Sequence, residues 1–136
     1  MSNIEQTLSI IKPDAVERNL ESEIKEMFKI NGFQILKEKK IKIEKSEAEK
    51  FYKVHETKPF YNDLCNYLSS GPIVAMILQK DNAVKENRDL MGATNPKDAE
   101  DGTIRKKYGI SIDKNSVHGS DSADNAKIEI DFFFKD

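Results

Sequence analysis

His118 stands in the octet Asn115-Ser116-Val117-His118-Gly119-Ser120-Asp121-Ser122, between a β-branched residue and a Gly-Ser-Asp-Ser cluster with the composition of a helix N-cap. The free N–H groups of a helix N-terminus are a natural seat for an anion. A neutral imidazole aimed at that seat presents a nucleophilic nitrogen at physiological pH, so phosphoryl transfer to the ring is the chemistry this stretch suits. Glu129 follows eleven residues later, in a helix that must pack back on the sheet. A carboxylate there can bond one ring nitrogen and fix the tautomer, so that the other presents its lone pair. Each residue also has a plainer reading: a hydrogen-bonded histidine at a strand end, and a solvent-facing helix charge.

A phosphate-handling site needs cations. The chain has no Gly-x-x-x-x-Gly-Lys-Ser/Thr loop and no Gly-x-Gly-x-x-Gly after a strand, which excludes cradles of those two kinds. Basic residues stand instead at element ends: Lys12 after the first strand, Arg88 in a helix, and Arg105 within a long loop. Singly, each reads as a solvated surface charge. The charge balance agrees that any positive field must be local, since 22 basic residues face 24 acidic ones for a net charge of −2. That is no nucleic-acid footprint.

The elements that must position these groups follow from periodicity. Thr7–Ile11 is β-rich and stops at Lys12-Pro13-Asp14. Val16, Leu20, Ile24, Met27 and Phe28 recur at helical spacing, and Asn31-Gly32 ends that helix. Residues 33–43 return to strand, and Ser46-x-x-Glu49 has the form of a capping box for a helix holding Ala48, Phe51, Tyr52 and His55. A second helix runs from about Phe60 to Leu68, and Ser70-Gly71-Pro72 breaks it from the unbroken apolar run Ile73–Leu78, a strand buried on both faces. A helix over Ala83–Met91, capped by Asp81 or Asn82, leads into a surface excursion from Gly92 to Asn115 with one short helical turn near Ile104. Strand 116–118 and a helix to about Asp131 complete the order, with Phe132-Phe133-Phe134 packed on the body or on a neighbouring subunit. The predicted fold is α+β: a ferredoxin-like βαββαβ sandwich with a four-stranded antiparallel sheet, an inserted helix pair, a C-terminal helix, and helices over one sheet face.

With 136 residues the chain fits one domain spanning 1–136. The single Cys65 excludes an internal disulfide and reads as a buried thiol among Leu64, Tyr67 and Leu68. No long apolar span or basic-plus-apolar leader appears, so a cytoplasmic protein with no membrane partner is expected.

Five segments together resemble the nucleoside diphosphate kinase family. They are Thr7–Val16; Phe51-Tyr52-x-x-His55 with Lys58-Pro59-Phe60-Tyr61 and Ser70-Gly71-Pro72; Arg88-x-Leu90-Met91-Gly92-Ala93-Thr94-Asn95-Pro96; Gly102-Thr103-Ile104-Arg105; and the His118 octet. The match is collinear over residues 5 to about 134. The resemblance implies an enzyme that moves the terminal phosphoryl group of a nucleoside triphosphate to a nucleoside diphosphate, with His118 as the phosphoryl-accepting nucleophile. Glu129 would orient it and Ser120 would be a donor beside it. Lys12, Tyr52, Arg88, Thr94 and Arg105 correspond to phosphate-site residues, with Gly119 also at the nucleotide and His55 nearby. Lys12 and Asn115 reach the ribose side. Phe60 stacks on the base, with Leu64 and Ile112 lining the slot. Stacking uses a face every base has, which suits a kinase with little base preference. Mg²⁺ is expected to ride on the nucleotide phosphates, with Asp121 touching its hydration shell through water. The family also implies a tetramer or hexamer built from dimers, and no nucleic acid is required. The sequence departs from the family where glycine is common, at Asn19 and Ser22, and at Lys80-Asp81 in place of a glycine-containing turn.

Two other readings remain open at this point: a non-catalytic nucleotide-binding or scaffold domain of the same fold, and a histidine phosphocarrier between proteins. The intact set of His118, Lys12, Arg105, Asn115 and Glu129 speaks against the first, and the Phe60 base slot against the second. Because the ring must be neutral to attack, phosphorylation should slow on acidification from about pH 8 to pH 5; a rate constant unchanged over that range contradicts it.

Overall fold

The computed structural model describes residues 4–111 and 114–134. Its strands β1 (Ile4–Ile11), β2 (Gln34–Ile41), β3 (Ile73–Asp81) and β4 (Val117–Gly119) form one sheet in the order β2-β3-β1-β4, every neighbouring pair antiparallel. This is the ferredoxin-like arrangement expected. The helices are α1 (Pro13–Glu17), α2 (Glu21–Ile30), α3 (Lys45–Phe51), α4 (Tyr61–Leu68), α5 (Ala83–Met91), α6 (Ile104–Tyr108) and α7 (Ala123–Phe134). No described helix is long and apolar enough to cross a membrane.

The helices cover both faces of the sheet, not one. The cause lies in β3, whose apolar run does not alternate and so has no wet face to offer. Val74, Met76 and Leu78 pack with Ile24, Phe28 and Met91 on one side, where α1, α2, α5 and α6 lie. Ile73 and Ala75 pack with Leu8, Ile10, Cys65, Leu68 and Phe133 on the other, under α3, α4 and α7. Cys65 is fully buried, as its neighbours implied.

Other differences are local. The helical pattern from Val16 to Phe28 is two helices, because Asn19 takes a φ of 60° between them. Asparagine tolerates that left-handed geometry better than most residues, which explains its use where glycine is common. Ser22 lies inside α2 and has no such role, and the second left-handed residue is Asn82, at φ 54°, rather than Asp81. The helix start expected at Ser46 and Glu49 is two residues earlier: the Glu44 N–H donates to Glu47 Oε1 at 3.1 Å. The helix expected to end near Asp131 continues through Phe134, so the three phenylalanines are helical. Phe133 is buried, its ring 5.3 Å from Phe51 and 5.0 Å from Phe132.

β4 is only three residues long and lies at the sheet margin, held by β1 through Ser9↔Gly119, Ile10↔His118 and Ile11↔Val117. It is entered through a tight turn: the Val117 N–H donates to Asn115 O at 2.9 Å across Ser116, whose φ is 75°. A three-residue turn with positive φ at its centre is the rare, strained form, costing about 1–3 kcal/mol.

Candidate active site

His118 sits at the middle of β4, and its partner is the residue the sequence pointed to. Nε2 lies 3.0 Å from Glu129 Oε1, and the Ser120 hydroxyl donates to the same oxygen at 2.8 Å. A carboxylate oxygen only accepts, so Nε2 carries the ring proton and Nδ1 holds the lone pair. Nδ1 has no hydrogen-bond partner among the described residues. Both side chains are mostly covered, 21% and 17% exposed, which keeps water from competing for the bond. The ring is further braced edge-on by Phe51 at 5.2 Å and Tyr52 at 6.4 Å.

The cap after His118 differs in detail from a row of free N–H groups. The Ser120 N–H is already used by Leu8 O at 3.2 Å, and the Ser122 hydroxyl accepts from the Asn125 N–H at 3.1 Å. The anion-binding capacity therefore rests more on side chains. Lys12 is buried at the start of α1 and donates from Nζ to Asn115 Oδ1 at 3.0 Å; the Asn115 amide in turn donates to Thr94 O at 3.0 Å. Arg105 is buried in α6, donating to Gly92 O at 3.0 Å and to Val117 O at 2.9 Å, next to His118 in the chain. Its Nε is buried with no partner. Burial, then the like charge of Arg88, lowers its pKa to about 10, so it is still a cation at neutral pH. An anion placed before the two guanidiniums would relieve both costs. Burial and the nearby Glu129 push the Tyr52 hydroxyl upward, so it stays a protonated donor.

Arg88, Thr94 and Arg105 line one cleft of about 830 Å³, and Asp121 stands on its wall. His118, Phe60 and Leu64 are not part of that wall. Asp121 is exposed and accepts from Asn125 Nδ2 at 2.6 Å. Among the described residues no three His, Cys, Asp or Glu side chains converge as a metal site. Phe60 precedes α4, 44% exposed, with its ring 6.1 Å from His55. Leu64 borders a separate hollow of about 190 Å³ with Asp63, Tyr67 and Lys114. Ile112, expected on the same slot, lies outside the described residues.

The structure gives new contacts to two residues the sequence named, Phe51 and Gly119, and adds one it passed over, Asn87. Phe51 touches the His118 ring although it served only as a motif letter. At Gly119 a Cβ would stand 2.3 Å from the Asn87 amide nitrogen and 2.8 Å from Met91 Cε, so these α5 side chains would have to shift to admit one. Asn87 is itself fully buried with neither amide atom paired. No spacing signal joins α5 to β4, so this contact was not legible beforehand.

Comparison with known proteins agrees over nearly the whole chain. The family described as "Nucleoside diphosphate kinase" matches residues 5–136. The chain is 52% identical over 132 residues to a nucleoside diphosphate kinase of Persephonella marina, covering 97% of this chain and 94% of that one. It is 55% identical to the one of Campylobacter jejuni, covering 97% and 96%. Among solved structures, the nucleoside diphosphate kinase of Aquifex aeolicus superposes with a TM-score of 0.95 at 38% identity, covering 96% and 95% of the two chains. That of Encephalitozoon cuniculi gives 0.93 at 37%, covering 97% and 90%.

Gly119→Ala should displace β4 from α5 and slow phosphorylation of His118 by about tenfold to a hundredfold while leaving the circular dichroism spectrum unchanged. A labelling rate within twofold of the parent would contradict the steric account.

Proposed function

The chain belongs to the nucleoside diphosphate kinase family and is a phosphotransferase, and from that premise we propose how its residues divide the work. The observation that carries the proposal is the His118 Nε2···Glu129 bond, which leaves Nδ1 as the nucleophilic nitrogen. Nδ1 attacks the γ-phosphorus of a nucleoside triphosphate in line. An N–P bond forms, the P–O bond to the β-phosphate breaks, and the diphosphate leaves with the electron pair. The ring becomes positive, and Glu129 stabilises that charge through Nε2–H. An incoming diphosphate then attacks the same phosphorus through its terminal oxygen, and the N–P electrons return to Nδ1. One site used twice implies ping-pong kinetics.

Lys12, Arg88 and Arg105 hold the transferring phosphoryl group and absorb its spreading charge, with the Tyr52 hydroxyl, Thr94 and the Gly119 backbone at the same end. The buried Arg105 guanidinium, still a cation at neutral pH and sharing a cleft with Arg88, supports that role. Ser120 steadies Glu129, and Asn115 ties Lys12 to Thr94 across the ribose side. Phe60, with Leu64 one turn further along, offers the base an aromatic face and no side-chain code, which suits loose base selection. Kinases of this family generally require a divalent cation; we take it to be Mg²⁺, which when bound supplies charge neutralisation at the phosphates. Asp121, on the wall of the cleft that Arg88, Thr94 and Arg105 line, is the side chain we assign to its hydration shell.

Residues 1–136 act in this reading as one catalytic domain, working on the nucleotides of the cytoplasm. A tetramer or hexamer built from dimers goes with it, because β2 is a sheet edge and Leu36 and Ile30 are exposed on β2 and α2. Those two elements are joined by Lys25–Glu38 and Lys40–Glu21 ion pairs, at 2.8 Å and 3.3 Å. Whether four or six subunits form is a question for sedimentation.

With labelled ATP the protein should form an acid-labile phosphoenzyme that unlabelled GDP discharges as GTP. His118→Ala should abolish the label while changing ADP affinity by less than about threefold. Label that survives in His118→Ala, or that GDP does not remove, would contradict the assignment.

A further inference from the structure

β4 is short, lies at a margin, and carries the reactive ring, so something must fix its ends. The end after His118 is fixed by Ser120, through the Leu8 backbone and Glu129. The end before it is the strained turn at Ser116, and beneath that turn lies a polar cluster that the reaction does not use. The Ser116 hydroxyl, fully buried, donates to Asp14 Oδ2 at 3.0 Å. Arg18 Nη2 donates to the same carboxylate oxygen at 3.1 Å, to Ser116 Oγ at 3.3 Å and to Tyr108 O at 2.6 Å. Arg18 Nε donates to Asp14 O at 3.0 Å. The Tyr67 hydroxyl donates to Asp14 Oδ1 and accepts from the Asp14 N–H at 2.8 Å. Beside all this, the Lys12 N–H donates to Ser116 O at 2.8 Å.

We propose that Asp14 is a positioning residue for His118, acting through the Ser116 turn. Its buried carboxylate gathers donors from the end of α1, from α4 and from the approach to β4, and so ties three segments at one point. A turn with positive φ at a side-chain-bearing residue relaxes unless its surroundings hold it. Relaxation would shift Val117 and His118 along β1, and so turn the ring away from its line of attack. Burial, with Asp14 second, pushes the Tyr67 hydroxyl upward, so it keeps its proton and donates it to Asp14. Asp14 touches neither the ring nor the phosphates in this scheme. Its effect belongs to the alignment of the ring.

The inference rests on His118 as the phosphoryl acceptor, and the test separates the two ideas. In the full chain, Asp14→Asn keeps the shape and turns an acceptor into a donor facing Ser116, Arg18 or Tyr67. Each variant is measured well below its own melting temperature, for the single-turnover rate of His118 phosphorylation by Mg·ATP and for ADP affinity by calorimetry. Asp14→Asn should phosphorylate at least about tenfold more slowly, with the ADP dissociation constant within about threefold of the parent. Adding Ser116→Ala to it should cost no further rate, because both act through one turn. A folded Asp14→Asn that phosphorylates within twofold of the parent overturns the proposal. So do parallel losses of rate and affinity, and so do additive losses in the double variant. If Asp14→Asn does not fold, Tyr67→Phe decides by the same rate and affinity criteria. A parent protein that takes no label on His118 would instead defeat the assignment of the nucleophile.

Discussion

The hydrogen bond between His118 Nε2 and Glu129 Oε1 is the constraint around which the rest of the site is arranged. It joins the middle of an edge strand to the second turn of α7, and so converts the packing of a helix on a sheet into the aim of one nitrogen. Without the carboxylate, either ring nitrogen could hold the proton and the lone pair would have no fixed direction. With it, the proton sits on the side of α7 and the electrons on the other. Ser120 matters for the same reason: its hydroxyl holds the carboxylate oxygen that holds the ring. The Phe51 and Tyr52 rings leave little room for another orientation.

The phosphate side is built on a different economy. Arg105 is buried and bound to two backbone carbonyls, yet one guanidinium nitrogen is unpartnered and Arg88 repels it. A protein rarely keeps such an arrangement for stability alone, because a buried cation without a counter-charge is expensive. In the proposed reading a polyphosphate supplies the missing charge when it binds. The site thus keeps its donors in place before substrate arrives, and little rearrangement is needed when charge develops in transfer. In the proposed reading no glycine-rich loop is involved, because side chains at the start of α1 and on α5 and α6 do what backbone N–H groups do in other phosphate sites.

Much of this was legible in residues whose partners lie close in sequence or share a periodicity. The apolar run Ile73–Leu78 announced a strand buried on both faces, although the expectation of helices on one face did not follow that run to its consequence. His118 and Glu129 are eleven residues apart, so a strand followed by a returning helix brings them together with few alternatives. The cluster beneath Ser116 was not legible, since Asp14 lies 53 residues from Tyr67 and 102 from Ser116. Polar residues at such separations carry no period. Only the closed sheet, with β1 leading into α1 beside the entry to β4, makes them neighbours. The Asn87 contact with Gly119 belongs to the same class. The left-handed Asn19 was readable as a substitute for glycine, but its effect, splitting one helical pattern into two, required the backbone.

The most direct measurement is the position of the phosphoryl group on the histidine ring. NMR of the phosphoenzyme, prepared with ¹⁵N-labelled histidine, distinguishes the two ring nitrogens by their coupling to phosphorus. The account predicts phosphate on Nδ1 of His118, with Nε2 still protonated and bonded to Glu129. Phosphate on Nε2, or on any residue other than His118, would contradict it.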